Sequence, residues 1–300
     1  MRRAHSWFPV LAITPYMILG IVVGLYPLWI LVRMAFSHIG LASGHLVFQF
    51  DGLAHLTRAL HDTVFLASLG HVGVFILIGV SVEVLLGLGL ALMVWRLQGR
   101  WVSVVRTTLL IPLLIPPVAI SIVWWLIYNE QFGFLNILLR GTHLPVQNWL
   151  TNPHTALFAV IWVDIWHWTP LVFLFLYTQL LTISPELIEA ARLDGASEGQ
   201  LTRHVILPHL GPMLGVSALF RLVFTFKIFD EIYILTSGGP GTATEIPSLY
   251  IQQVFFNQFS YGYGSFLGFV IFVMVLVALG VALLGRKGWV GWKGRRLPLS

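Results

Sequence analysis

The sequence predicts an all-α membrane protein with six transmembrane helices and a two-helix loop on its cytoplasmic side. Three observations predict it. Of the 300 residues, 57% are hydrophobic and only 10% are charged, and the mean hydropathy is +0.86, far from the composition of a soluble domain. The apolar residues gather into separate runs long enough to cross a bilayer, which takes about 20 helical residues. The Lys and Arg residues collect at alternate breaks between those runs, as the positive-inside rule requires. One membrane domain over residues 1–300 is the economical arrangement.

Taken in order, the first run covers residues 8–36. Met1-Arg2-Arg3 leads into it with no small-residue cleavage site, so it reads as an uncleaved span rather than a signal peptide. Further runs follow at 66–95, 104–128, 155–180, 212–236 and 264–285, separated by charged or Gly/Pro-rich breaks. An even number of spans puts both termini on one side. Arg2, Arg3, Arg96, Arg100, Arg106, Arg192, Arg203, Arg286, Lys287, Lys293, Arg295 and Arg296 fall on that side, against Arg33, Arg58 and Arg140 opposite. Both termini are therefore expected in the cytoplasm, with outer segments near 37–65, 129–154 and 237–263. The +5 charge balance follows from these short basic loops and calls for no nucleic-acid partner.

The inner loop at 184–211 carries helix signals of its own. Ser184 can cap a helix with Pro185 at its first position and Glu186 in its first turn. Gly195 permits a turn at positive φ, and Ser197 can cap a second short helix that Pro208 and Pro212 are expected to end. The expectation is a helix, a Gly turn and a second helix on the cytoplasmic face.

Within that loop, Glu189-Ala190-Ala191-Arg192-Leu193-Asp194-Gly195-Ala196, followed after eight residues by Val205-Ile206-Leu207-Pro208, resembles the coupling loop of binding-protein-dependent ABC importer permeases. Val205 stands where that family usually has Ile. Further resemblance to its carbohydrate-uptake, maltose-permease-F-like branch covers nearly the whole chain: Phe50-Asp51-Gly52-Leu53, Gly133-Phe134-Leu135-Asn136, Phe226-Lys227-Ile228-Phe229-Asp230-Glu231-Ile232-Tyr233, and Leu235-Thr236-Ser237-Gly238-Gly239-Pro240-Gly241 with Thr244-Glu245. The resemblance implies one of two membrane subunits of a sugar importer in a bacterial inner membrane. Its partners would be a second homologous permease, two cytoplasmic ATPase subunits and an extracytoplasmic solute-binding protein. The resemblance also implies that Gly238, Gly239, Pro240, Gly241 and Glu245 face that receptor, and that Glu189, Ala190, Ala191, Asp194, Gly195, Ala196, Leu207 and Pro208 belong to the ATPase dock. Small alanines allow a partner to approach closely, and Glu189 offers a charge across the interface.

The chain has no Gly-x-x-x-x-Gly-Lys-Ser/Thr phosphate loop, so it is not expected to be an enzyme or to bind a cofactor; ATP and Mg belong on the partner ATPases. It has no cysteine, which removes disulfides, thiol nucleophiles and thiolate metal sites. The histidines have no convincing metal spacing, and His71 reads as structural.

Ionisable residues inside spans are costly in lipid and mark candidate functional positions. Asp164, His167 and Trp168 lie at i, i+3 and i+4 on one helical face, with Pro170 just beyond and Trp166 pointing elsewhere. An aromatic face beside hydrogen-bonding groups suits a sugar ring. The resemblance makes these residues, with Arg221 and Thr225 of the next span, the expected cargo pathway; pairing among themselves or with the second permease is the alternative. Lys227 and Asp230, at i and i+3, are expected to form a local ion pair. Glu231 would meet solvent or the receptor, and Glu83, without a charge partner nearby in sequence, would hydrogen-bond inside the bundle. An ion-gradient-driven carrier also suits six spans with buried charges, but has no use for a two-helix cytoplasmic dock, and no inverted repeat relates the two halves. An intramembrane enzyme would need a motif such as His-Glu-x-x-His or Gly-x-Ser-x-Gly, and neither occurs.

Overall fold

The computed structural model describes residues 7–42, 45–97 and 99–293. Arg2, Arg3, Arg295 and Arg296, on which part of the orientation argument rests, lie outside the described residues. By packing, the chain divides into two compact units: the stretch up to Asp62 with Ile251–Val273, and Thr63–Tyr250 with the stretch from Met274 on. In bilayer hydrocarbon a helix is the one open element that satisfies all its backbone groups internally. Among the described residues, five helices are long and apolar enough to cross, and a sharply bent pair makes up to a sixth span.

In the first unit, α1 (Phe8–Ala35) runs into an antiparallel hairpin, β1 (Ser37–Ala42) and β2 (His45–Phe50), with Ser37 opposite Phe50. The hairpin is a departure from the all-helical expectation. After α2 (Ala54–His61), the unit is completed by the start of α12 (Tyr261–Lys293). Gly262 is needed there: a Cβ on it would lie 2.2 Å from the Ser37 carbonyl oxygen. The Tyr263 hydroxyl donates to Asp62 at 2.6 Å, and Arg58 lies over the Tyr263 ring at 3.9 Å.

In the second unit, α3 (Thr63–Arg96) is one continuous helix with a π-helical turn at Ile76–Val80. It packs against α7 (Ala156–Leu180), the central element, whose apolar stretch is 67% buried within the chain against 33% for α3. Gly87 permits their close approach, since a Cβ there would lie 2.6 Å from Val172 Cγ1. Two apolar clusters flank the middle of α7. One includes Ile161, Ile165, Phe75 and Ile232, and the other includes Phe173, Leu176, Leu180 and Leu210. Asp164, His167 and Thr169 sit at their junction.

Three expected spans are corrected. The run at 104–128 is two helices, α4 (Trp101–Leu114) and α5 (Pro117–Ile127), bent by 95°. Ile115 precedes Pro116 and Pro116 precedes Pro117, so both are driven to extended backbone. A short α6 (Phe134–Gly141) follows in the outer segment. The run at 212–236 starts earlier and stops sooner: α9 (Glu198–Thr225) passes through Pro208 and Pro212, and α10 (Asp230–Leu235) is separate. Pro208 does not end the helix because it enters directly after a π-turn at Thr202–Ile206, at the start of a new α-helical stretch where its missing N–H is tolerated. The run at 66–95 begins three residues sooner, at Thr63. Beyond α10, α11 (Pro247–Gln252) and a π-turn at Gln253–Asn257 lead to α12.

Candidate functional site

At the junction of the two apolar clusters, α3, α7 and α9 each contribute a charge to one buried network. Arg221 of α9 presents its fork to Glu83 of α3: Nε donates to Oε2 at 2.5 Å and Nη2 donates to Oε1 at 2.8 Å. Nη2 also donates to Asp164 Oδ2 of α7 at 2.7 Å. All three side chains are at most 2% exposed. The indole of Trp168 covers the guanidinium, with 4.8 Å between Arg221 Cζ and the ring centroid. Bidentate geometry, a second carboxylate and a cation–π face together replace the water such a charge loses on burial.

The network brings together Asp164, Arg221 and Trp168, the pairing weighed as the alternative to a cargo pathway, and adds Glu83. Glu83 does hydrogen-bond inside the bundle, but to a full charge 138 residues away. The signal for it was present: an intramembrane Arg and carboxylates without local partners must find one another. His167 is 1% exposed; its Nδ1 has no hydrogen-bond partner and stands 3.6 Å from Glu231 Oε1, beyond hydrogen-bond range. Glu231 is itself 4% exposed within the chain, which corrects its expected meeting with solvent. The Thr225 hydroxyl is buried and donates back to the Arg221 carbonyl at 2.9 Å. Trp166 points away from this face and meets the Trp124 ring edge-on at 5.8 Å.

The expected Lys227–Asp230 pair is not among the ion pairs of the described residues. The two residues do not share a helix: α9 stops at Thr225 and α10 begins at Asp230, so i, i+3 geometry is lost. Lys227 instead lies over the Phe224 ring at 5.7 Å, and Asp230 sits with Glu231 in the first turn of α10, where carboxylates complement the helix dipole.

On the loop after α7, α8 (Pro185–Leu193) is capped by the Ser184 side chain, and Ser197 with Gln200 forms a full capping box at the start of α9. Gly195 has φ +82, the left-handed turn that reverses the chain between them. Arg192 Nη2 donates to Glu198 Oε1 across that turn at 3.0 Å. Glu189, Ala190, Asp194 and Gly195 are exposed, and Leu193 projects with 89% of its surface free. Ala191, Ala196, Leu207 and Pro208 are half-buried beneath them.

The loop at 237–245 is less open than its residue types suggest. Glu245 is 4% exposed, and its carboxylate lies where a Cβ on Gly238 would stand, at 2.2 Å. Gly238 and Gly241 take positive φ, and the Glu245 carbonyl accepts from His71 Nδ1 at 2.7 Å, which gives His71 a structural role. Glu245 and Gly238 therefore hold the loop from inside, while Gly241 is exposed and Gly239 and Pro240 are half-buried. Among the described residues, no three His, Asp or Glu side chains gather to hold a metal ion.

Residues 83–286 match the family of binding-protein-dependent transport system inner membrane components. The trehalose/maltose transport system permease protein MalF of Thermococcus litoralis is 38% identical over 228 residues, covering 76% of each chain. The trehalose transport system permease protein SugA of Mycobacterium tuberculosis is 31% identical over 287 residues, 95% of this chain and 91% of that one. A chain of the bacterial alginate ABC transporter, solved with an alginate-bound periplasmic protein, shares the fold at a TM-score of 0.78 and 22% identity, covering 93% and 96% of the two chains. By this match over residues 83–286 and these relatives, the chain belongs to the inner membrane components of binding-protein-dependent transport systems.

Proposed function

We propose that this chain is a membrane-spanning subunit of an ATP-driven importer and forms half of the path for a sugar or sugar-like solute. The observation that carries the reading is the loop between α7 and α9: two capped helices around a left-handed Gly195, with Glu189, Ala190 and Leu193 free to meet a partner. Relatives named for trehalose and maltose transport supply the solute class. Hydrolysis of ATP falls to separate cytoplasmic subunits that dock on the loop, and their closure moves the spans as rigid bodies. A second permease completes the path, a receptor delivers solute from outside, and both termini lie in the cytoplasm.

Co-expression with the neighbouring genes and affinity purification of this chain tests the reading. An ATPase should accompany the wild-type chain. Gly195→Val, which forces a β-branched residue to positive φ, should lower the ATPase yield at least about tenfold, an interface loss of about 1.4 kcal/mol or more. Absence of any ATPase from a folded wild-type preparation would sink the reading and leave a gradient-driven carrier in its place.

A further inference from the structure

The helix that leaves the loop is mechanically weak where it should be stiff. Between Thr202 and Thr225, α9 contains a π-turn at Thr202–Ile206 that runs into Pro208, and Pro212 inside the following α-helical stretch, so the regular i to i−4 ladder is interrupted at two places. A push on the loop would bend such a helix before it reached the middle of the membrane.

The neighbouring helix spans that weak stretch. The part of α3 from Ser81 to Arg96 is unbroken α-helix without proline. Its lower end is tied to the start of the weak stretch, where Arg96 Nη2 donates to Thr202 Oγ1 at 2.6 Å. Its upper end is tied beyond the prolines, through the Glu83 and Arg221 fork. The two ties stand about 20 Å apart along α3. Asp164 anchors the upper tie to α7, and the approach at Gly87 packs α3 on α7 in between. Thr202 lies one turn beyond the Ser197 capping box, so the lower tie grips the loop itself.

We propose that Arg96 and Glu83 are positioning residues that make α3 a splint for α9, so that movement of the cytoplasmic loop reaches the mid-membrane network instead of being absorbed at the π-turn and prolines. The inference rests on the importer reading above. It predicts a transporter whose coupling depends on a contact remote from nucleotide, solute and receptor. Coupling between distant sites requires a rigid element that both sites bias, and the splint supplies one.

The test uses the assembled transporter in proteoliposomes, measuring solute moved and ATP hydrolysed in the same sample. Arg96 is exposed, so Arg96→Ala should leave expression, subunit assembly and ATP hydrolysis intact. Solute moved per ATP should fall at least about fivefold, the lower end of typical site-to-site coupling. The chain has no cysteine, so an Arg96→Cys, Thr202→Cys pair can be bridged with a bis-maleimide in the purified chain before the transporter is assembled with its other subunits. Bridging should restore the ratio, which a merely structural role for Arg96 would not require. Arg96→Ala with an unchanged ratio, or a bridged pair that stays uncoupled, overturns the splint. Because wild type must first show ATP-dependent uptake, that result is distinct from failure of the importer reading.

Discussion

Arg221 shows what a buried charge demands of its surroundings. Two carboxylates from two other helices and one indole face surround it at 2% exposure. Removing one partner of such a set leaves the others uncompensated, at a cost of about 3–5 kcal/mol, whereas replacing the whole set with well-packed apolar residues of similar volume is often tolerated. Arg221→Ala should therefore lower the thermal midpoint in detergent sharply, and the triple variant Glu83→Met, Asp164→Leu, Arg221→Met should recover most of it. If Arg221→Ala matches wild type, the network contributes nothing to stability. One carboxylate oxygen of Asp164 is engaged by Arg221 in this arrangement. Trp168 is half-buried and remains the better probe of a sugar face.

At the scale of elements, glycine marks where helices must touch. A Cβ on Gly87 would meet Val172 at 2.6 Å and the Phe173 backbone nitrogen at 3.0 Å, while one on Gly89, half a turn away, meets nothing within 4 Å. Gly87→Ala should cost about 1–3 kcal/mol through overpacking of α3 on α7. Gly89→Ala should be neutral or slightly stabilising, because Ala is the better helix former by up to about 1 kcal/mol. Thermal unfolding of the two variants side by side reads the difference, and equal midpoints would mean that α3 and α7 are not in close contact in the bilayer. The proline-driven break between α4 and α5 and the capped loop helices belong to this scale too. Each follows from a few adjacent residues whose backbone preferences are fixed by their own chemistry.

For the whole molecule, the expectation is alternating access in which the loop is moved by partner subunits and the solute path changes on the other side of the charged layer. Trp168→Ala in the assembled transporter should lower solute uptake while leaving the complex and its ATPase in place. Unchanged uptake would remove this face of α7 from the path.

The sequence by itself determined the membrane character, most of the long helices and the capped turn around Gly195, while the expected second short helix proved to be the first turns of α9. In hydrocarbon a backbone has almost no choice but helix, so long apolar runs announce themselves, and caps at Ser184 and Ser197 with a turn at Gly195 are read from neighbours in the chain. Only the tertiary structure decided which charges meet. Arg221 chose Glu83 and Asp164, and Lys227 lost Asp230, because partners in a bundle are set by helix packing over distances that no periodicity encodes. The same holds for Glu245, which the resemblance put on a receptor-facing loop and whose packing against Gly238 places its carboxylate inside that loop. Local backbone preference is a property of adjacent residues, while a buried ion pair exists only once helix packing has brought charged groups from separate helices within about 4 Å of each other.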